Sequence, residues 1–150
     1  MIKTKKPQTI ILAMVITMLT LLTMSSCTSM QSSETLYEDI GGRDTLVRVY
    51  ISAVKRIYSD PRINHYFKGV PAKVLAKHLA DQTCELIGGP CQYTGRSMLD
   101  SHKGMGITDA DMFVLVEHVQ RAIREVGLSS QQENLIIKQL APLKSDIVYQ

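Results

Sequence analysis

Apolar residues recur at intervals of three and four positions from Leu36 to the end of the chain, and glycines and prolines interrupt them. This spacing keeps side chains on one face of an α-helix, whereas a half-buried strand requires alternation. In the first half of the domain, the pattern predicts a turn of helix at 36–40, a helix capped by Asp44 that runs to Ser59, and a tight helical turn at 61–67. A further helix is predicted to open after Gly69 and to run to about Ile87. A short segment at 97–103 follows, and two more helices are predicted to begin near Thr108 and Ser130.

The last two helices carry signals for their own starts. Thr108 is followed three residues later by Asp111, and Ser130 by Glu133, and each pair matches a capping box. Pro142 lacks a backbone N–H, so we expect it to bend or end the last helix. These signals predict one all-α domain over residues 36–150.

The first 35 residues have a different organisation. Three lysines precede an apolar run at 10–22, and small residues then lead to Cys27. The run is shorter than the roughly 20 residues that a spanning helix needs. The order resembles a bacterial lipoprotein signal, which implies a signal peptide at 1–26, a lipid on Cys27, a tether at 27–35 and attachment to a membrane on the periplasmic side of the cell envelope. Simple cleavage and an uncleaved anchor remain the alternatives.

Composition narrows the class of protein and of partner. Removing the leader, with its three lysines, changes the balance from 17 basic and 14 acidic residues to 14 of each. A neutral domain lacks the positive field that holds a phosphate backbone, so we expect no nucleic-acid partner. The 5% aromatic content argues against an all-β domain, and the 45% hydrophobic content argues against disorder.

Two further cysteines flank a turn signal. Cys84 and Cys91 lie seven positions apart on either side of Gly88, Gly89 and Pro90. Export to an oxidising compartment favours a disulfide, and such a turn allows the two thiols to meet. Two buried thiols are the alternative.

The four histidines differ in their settings. His118 lies among polar residues of its helix, which predicts a solvated side chain, and His65 lies in a turn where packing or capping is the ordinary role. His78 shares an apolar helical stripe with leucines, and His102 lies in a short segment bordered by glycines. No pair of histidines four residues apart and no Cys-x-x-Cys motif is present, so a structural zinc site is not expected.

Five short blocks stand out along the domain: LYEDIGG at 36–42, DPRINHYF at 60–67, GGP at 88–90, YTGRSM at 93–98 and HKGMGIT at 102–108. In their order and spacing, these blocks resemble a group 1 truncated haemoglobin. The similarity covers nearly all of residues 36–148.

The resemblance implies a truncated globin fold, in which a two-over-two sandwich of helices encloses haem b. His102 falls at the position of the proximal iron ligand, and Phe67 matches the aromatic residue on the haem face. The other residues that the resemblance places around haem are Leu75, His78, Leu79, Leu86, Met98, Ile107, Met112, Leu115, Ile136 and Leu140.

The distal side departs from the best-known members of that family. Val54 stands where those members carry a tyrosine, and Leu75 and Leu79 stand at positions that often carry glutamine. His78 aligns with the histidine that some cyanobacterial members use as a sixth iron ligand. Distal ligation by His78 and a side chain directed to the haem edge or solvent are therefore both open.

The resemblance implies a monomeric haem protein that binds oxygen, nitric oxide or carbon monoxide at the cell envelope. One alternative is nitric-oxide dioxygenase activity supported by an unknown reductase. A second is a bis-histidine haem protein for redox chemistry or sensing. A third is a haem-free helical interaction module, which the intact His102 block disfavours.

Overall fold

The computed structural model describes residues 35–150, and within them the regular structure is helical without a strand. The predicted signal peptide, Cys27 and almost the whole predicted tether lie outside these residues. The elements are α1 (Leu36–Asp39), α2 (Gly42–Ser59), a 3₁₀ helix (Asn64–Phe67), α3 (Ala72–Leu86), α4 (Met98–His102), α5 (Asp109–Glu125), α6 (Ser130–Leu140) and a second 3₁₀ helix (Ala141–Asp146).

The central helix of the domain is α2, which packs against both α3 and α5. Helix α6 contacts α3 and α5, and the short helix α4 lies against the C-terminal 3₁₀ helix. The main core is therefore built from four helices. Its buried members include Leu46, Val49 and Ala53 of α2, Ala80 of α3, Ala122 and Ile123 of α5, and Ile136 of α6.

A buried hydrogen bond joins α2 to α3 inside this core. The hydroxyl groups of Tyr50 and Thr83 are hydrogen-bonded, and each residue is 1% exposed. Burial raises the pKa of Tyr50 to about 12, because a phenolate has no solvation there. Tyr50 therefore acts in packing between the two helices.

Two of the predicted helix starts are wrong, that of α2 by three residues and that of α6 by one. Helix α2 begins at Gly42 with Gly41 as its N-cap in the left-handed region (φ 84°), so Asp44 lies within the first turn. Helix α6 is capped by Ser129 with Gln132, whereas the prediction named Ser130 with Glu133. The Thr108–Asp111 capping box is confirmed. Serine at both 129 and 130 made the register ambiguous, and a left-handed glycine cap has no side-chain signal.

Two side chains also differ from their predicted setting. His118 is not solvated: its side chain is 12% exposed, and Nε2 lies 2.8 Å from Oδ2 of Asp60. Leu86, which the resemblance placed around haem, is 36% exposed. Helical spacing places a residue on a face, but the neighbouring element decides how far along the helix that face is covered.

Candidate functional site

His102 is the last residue of α4, and both ends of this five-residue helix are held. The Ser97 side chain accepts a hydrogen bond from the backbone N–H of Asp100 (3.0 Å). At the other end, Nδ1 of His102 lies 2.7 Å from the carbonyl oxygen of Met98. A carbonyl oxygen can only accept, so Nδ1 carries the hydrogen and the lone pair of the neutral imidazole is on Nε2.

The loop after His102 is tied to the C-terminus. The N–H of Gly104 donates to the carbonyl oxygen of Gln150 (3.1 Å), and the N–H of Tyr149 donates to that of Ile107 (2.9 Å). Lys144 forms an ion pair with Asp109 (2.5 Å) at the start of α5. These contacts hold the backbone that follows the imidazole.

Helix α3 carries the second imidazole. His78 lies on the same face as Leu75 and Leu79, and all three side chains are half-buried. Its Nδ1 is buried without a hydrogen-bond partner. The ring instead contacts Tyr93 edge-on, with 5.9 Å between ring centroids and an interplanar angle of 76°.

An ionic cluster fixes α3 against the start of α2. Asp81 is 4% exposed and accepts hydrogen bonds from Lys77 (2.5 Å) and Arg43 (2.6 Å). The hydrogen bond from Lys77 is the largest cause, and that from Arg43 a further cause, of the lowered pKa of Asp81. Nη1 of Arg43 also lies 3.5 Å from Sγ of Cys91. The cluster therefore connects α2, α3 and the loop after α3.

A disulfide joins that loop to α3. Cys84 and Cys91 are bonded, with 5.7 Å between their Cα atoms. The backbone N–H of Tyr93 donates to Oε2 of Glu85 (2.9 Å), and the Tyr93 hydroxyl donates to the carbonyl oxygen of Arg96 (2.9 Å). Partial burial raises the pKa of Tyr93.

Tyr93 and Arg43 were not among the predicted site residues. Tyr93 did belong to the YTGRSM block, and the structure shows why glycine stands at 95, because a Cβ there would overlap the phenol ring. Arg43 and Asp81 are 38 residues apart in the sequence, so no local pattern indicates that they meet.

The remaining predicted residues lie in several elements. Phe67, on the first 3₁₀ helix, stacks at a tilt on Tyr58 with 5.8 Å between centroids. Val54 of α2 is 3% exposed. Ile107 and Ile136 are buried, Leu86 is exposed, and the half-buried residues are Met98, Met112, Leu115 and Leu140.

Residues 35–150 contain no cluster of three or more His, Cys, Asp or Glu side chains that could hold a metal ion. None of the helices in this described part is both long and apolar enough to cross a membrane.

Comparison with known proteins identifies the protein family to which this chain belongs. The family model described as "Bacterial-like globin" matches residues 35–149. A group 1 truncated hemoglobin of Tetrahymena thermophila is 30% identical over 102 residues, which cover 68% of this chain and 84% of that protein. The chain belongs to the bacterial-like globin family.

Solved structures confirm the predicted fold. The truncated hemoglobin from Tetrahymena pyriformis, in its Fe(III) form, aligns with a TM-score of 0.73 at 26% identity and covers 77% of this chain and 99% of that chain. The 2/2 hemoglobin from Synechococcus sp. PCC 7002, solved in the cyanomet state with covalently attached heme, aligns with a TM-score of 0.70 at 20% identity over 77% and 99% of the two chains. The fold is the two-over-two helical sandwich of truncated globins.

The donor chemistry of this chain fits a haem iron. An imidazole whose Nδ1 donates to a main-chain carbonyl, as in His102, has a fixed ring and leaves Nε2 as the atom that can bind a metal. Haem would supply its own four pyrrole nitrogens, so the protein would need to provide only an imidazole such as that of His102. The apolar, half-buried side chains of α3 and α4 suit a largely apolar porphyrin.

Proposed function

We propose that this globin holds haem b through His102 and binds a diatomic ligand such as oxygen, nitric oxide or carbon monoxide. The observation that carries this proposal is the 2.7 Å hydrogen bond from Nδ1 of His102 to the Met98 carbonyl oxygen. This bond uses Nδ1 as a donor, and the lone pair of Nε2 is therefore left to bind the iron. Bound haem supplies a ferrous iron with a position for a diatomic ligand. The protein supplies the axial base and the apolar surroundings.

The proposed haem contacts lie on the first 3₁₀ helix, on α3, and on the proximal and C-terminal segments. Phe67 lies at the end of the first 3₁₀ helix, and the α3 contacts are Leu75, Leu79 and Leu86. The proximal and C-terminal contacts are Met98, Ile107, Met112, Leu115, Ile136 and Leu140. Apolar side chains exclude water from the iron, which protects the ferrous state and favours small neutral ligands.

The distal positions discussed for the family carry no free hydrogen-bonding group in this chain. Val54, Leu75 and Leu79 are apolar, and the hydroxyl of Tyr50 is already bonded to Thr83. A bound ligand would therefore lack the hydrogen bond of a distal tyrosine. We expect oxygen to dissociate faster than from a globin with a distal tyrosine.

His78 is proposed as a distal residue that is not a permanent ligand of the iron. An iron-ligating histidine ordinarily donates its second ring N–H to a fixed acceptor. His102 has that acceptor, whereas Nδ1 of His78 is buried without one. The contrast favours an iron open to ligands over a permanent bis-histidine centre.

The test is the visible spectrum of the dithionite-reduced mature protein before and after carbon monoxide. We expect a Soret band in the wild type and its loss in His102→Leu. His65→Leu is the matched control, because His65 is exposed on the first 3₁₀ helix. Full haem content in His102→Leu would overturn the assignment. Sharp split ferrous bands in the wild type that disappear in His78→Leu would support a bis-histidine redox or sensing protein.

We also propose that the domain works as a monomer, lipid-anchored through Cys27 on the periplasmic side of a cell-envelope membrane. The support is the order of lysines, apolar run, small residues and cysteine at the N-terminus. Several acyl chains on one residue give stable attachment, whereas one chain gives only marginal binding. The iron would need an electron donor in that compartment, and we propose a reductase for this role. Incorporation of labelled palmitate into the wild type but not into Cys27→Ser, after expression in a bacterium, tests the anchor.

A further inference from the structure

The two imidazoles of the site are held in different ways. His102 is fixed by a hydrogen bond to a main-chain carbonyl, whereas Nδ1 of His78 has no partner. The position of His78 depends on packing, and its aromatic contact is the edge-on Tyr93 ring, 5.9 Å away between centroids. Aromatic pairs in this arrangement are favourable beyond the area they bury.

Tyr93 is itself held from several directions. Its hydroxyl donates to the carbonyl oxygen of Arg96, and its N–H donates to Oε2 of Glu85 on α3. Gly95 leaves the space that the phenol occupies, since a Cβ there would overlap the ring. The phenol is therefore a fixed surface against which the imidazole rests.

The disulfide anchors the segment that carries Tyr93. Cys84 is fully buried in α3, and Cys91 lies two residues before Tyr93. His78 and Cys84 belong to the same helix, so the bond links the loop to the element that carries the imidazole. The helix, the loop and the two rings form one closed unit.

We propose that Tyr93 is a positioning residue that restrains His78 away from the iron, and that the Cys84–Cys91 disulfide holds Tyr93 in that role. This inference rests on the proposed function. It adds that His78 is available as a sixth ligand only when the Tyr93 contact is lost. The resting iron is then open to diatomic ligands. Reduction of the disulfide shifts the iron toward six-coordination.

The first experiment measures the low-spin fraction of the ferric haem-loaded protein by electron paramagnetic resonance. Loss of a ring pair shifts the ratio of ligated to free His78 by about two- to ten-fold. We expect that increase in Tyr93→Leu. Tyr93→Phe is the matched control, because it keeps the ring and removes only the hydroxyl. The increase should vanish in Tyr93→Leu combined with His78→Leu. An unchanged or lower low-spin fraction in Tyr93→Leu overturns the inference.

A second variant reaches the same state with Tyr93 intact. Gly95→Ala places a Cβ against the phenol and should displace it from His78. We expect the same increase in low-spin iron. Tyr37→Leu tests specificity, because Tyr37 packs beside the same disulfide at Gly89. A similar increase in Tyr37→Leu would mean that general loosening, and not the Tyr93 contact, controls His78.

The disulfide is tested with dithiothreitol and with the double substitution of Cys84→Ala and Cys91→Ala. Dithiothreitol transfers two electrons and two protons to the bond, which gives two thiols and the cyclic disulfide of the reagent. We expect more low-spin iron and no further increase when Tyr93→Leu is added, because both changes remove the same restraint. Additive effects would show that the disulfide acts elsewhere.

A readout independent of coordination is the nuclear Overhauser effect between the ring protons of His78 and Tyr93 in the diamagnetic ferrous–carbon monoxide form. We expect it in the wild type and its loss on reduction of the disulfide. Its absence from the wild type overturns the inference even when haem binding is normal. Failure of the wild type to bind haem at all refutes the proposed function instead, and this inference with it.

Discussion

Nε2 of His118 on α5 lies 2.8 Å from Oδ2 of Asp60, which directly follows α2. The two side chains are 12% and 10% exposed, and they are 58 residues apart in the sequence. Arg62 donates to the same carboxylate through Nη2 (2.6 Å). The carboxylate therefore joins the end of α2 to the middle of α5.

The Asp60 pair predicts a loss of stability in acid. Hydrogen bonds from Arg62, and next from His118, hold the pKa of Asp60 well below its usual range. Because the folded pKa is lower than the unfolded one, the carboxylate stabilises the fold above the unfolded pKa of about 3.9. That contribution disappears as the pH falls through the lower folded pKa.

We expect Asp60→Asn to lower the melting temperature at pH 7 by roughly a few degrees. The variant should also have a flatter stability profile below about pH 4. Thermal unfolding followed by circular dichroism between pH 2 and pH 7 measures both. Asp146→Asn is the control, since Asp146 is exposed near the C-terminus. An Asp60→Asn protein with the melting temperature of the wild type at pH 7, and with the same decrease in melting temperature at low pH, would contradict the role of the pair.

The Tyr50–Thr83 hydrogen bond predicts a buried coupling between α2 and α3. Tyr50→Phe leaves the Thr83 hydroxyl without a partner, which lowers the free energy of unfolding by about 1–2 kcal/mol. Adding Thr83→Val should remove part of that loss, because both polar groups are then absent. Urea unfolding of the single and double variants gives the coupling energy. Equal and additive losses would argue against the bond.

Tyr50 also predicts a loss of stability in alkali. Its folded pKa of about 12 exceeds the unfolded value near 10. The neutral phenol therefore contributes its full stabilisation below pH 10 and loses it as the pH rises toward 12. Tyr50→Phe should have a smaller decrease in stability across that interval. Tyr149→Phe, which alters a 68% exposed phenol, should retain the wild-type decrease.

The Ser97 cap predicts a specific effect on haem retention. Ser97→Ala removes the acceptor for the Asp100 N–H at the start of α4. Loss of such a cap costs about 1 kcal/mol, which corresponds to roughly five-fold faster haem loss if the cap supports His102. Transfer of haem to an excess of a scavenger globin measures the rate. Ser129→Ala removes the equivalent cap of α6 and should lower stability without faster haem loss.

Gly89 predicts a tight steric limit at the disulfide. A Cβ at residue 89 would lie 2.5 Å from Cδ2 of Tyr37 and 2.6 Å from Sγ of Cys84. The disulfide restrains the sulfur, so Gly89→Ala should lower the free energy of unfolding by about 1–3 kcal/mol. Chemical unfolding checks this value. A Tyr37→Ala background should remove part of the loss, and an unchanged loss there would mean that the ring does not create the limit.

Local sequence patterns predict the helices of this domain and their order, although not the start of every helix. The helices follow from apolar spacing and from glycine and proline breaks, which are properties of neighbouring residues. The same is true of the Thr108–Asp111 cap and of the end of α6 at Leu140, just before Pro142. His102 was predicted as the proximal ligand because its glycine-bordered block forms part of a family motif.

The contacts between side chains of distant segments became known from the folded domain. The polar neighbours of His118 on its own helix predicted a solvated side chain, yet His118 pairs with Asp60. Arg43 forms a hydrogen bond with Asp81, which lies 38 residues away in the sequence. Tyr93 rests on His78 because a disulfide returns the loop to its helix. Helical periodicity describes one segment at a time, whereas these contacts depend on how separate segments pack. The setting of each imidazole was therefore decided by packing and not by local pattern.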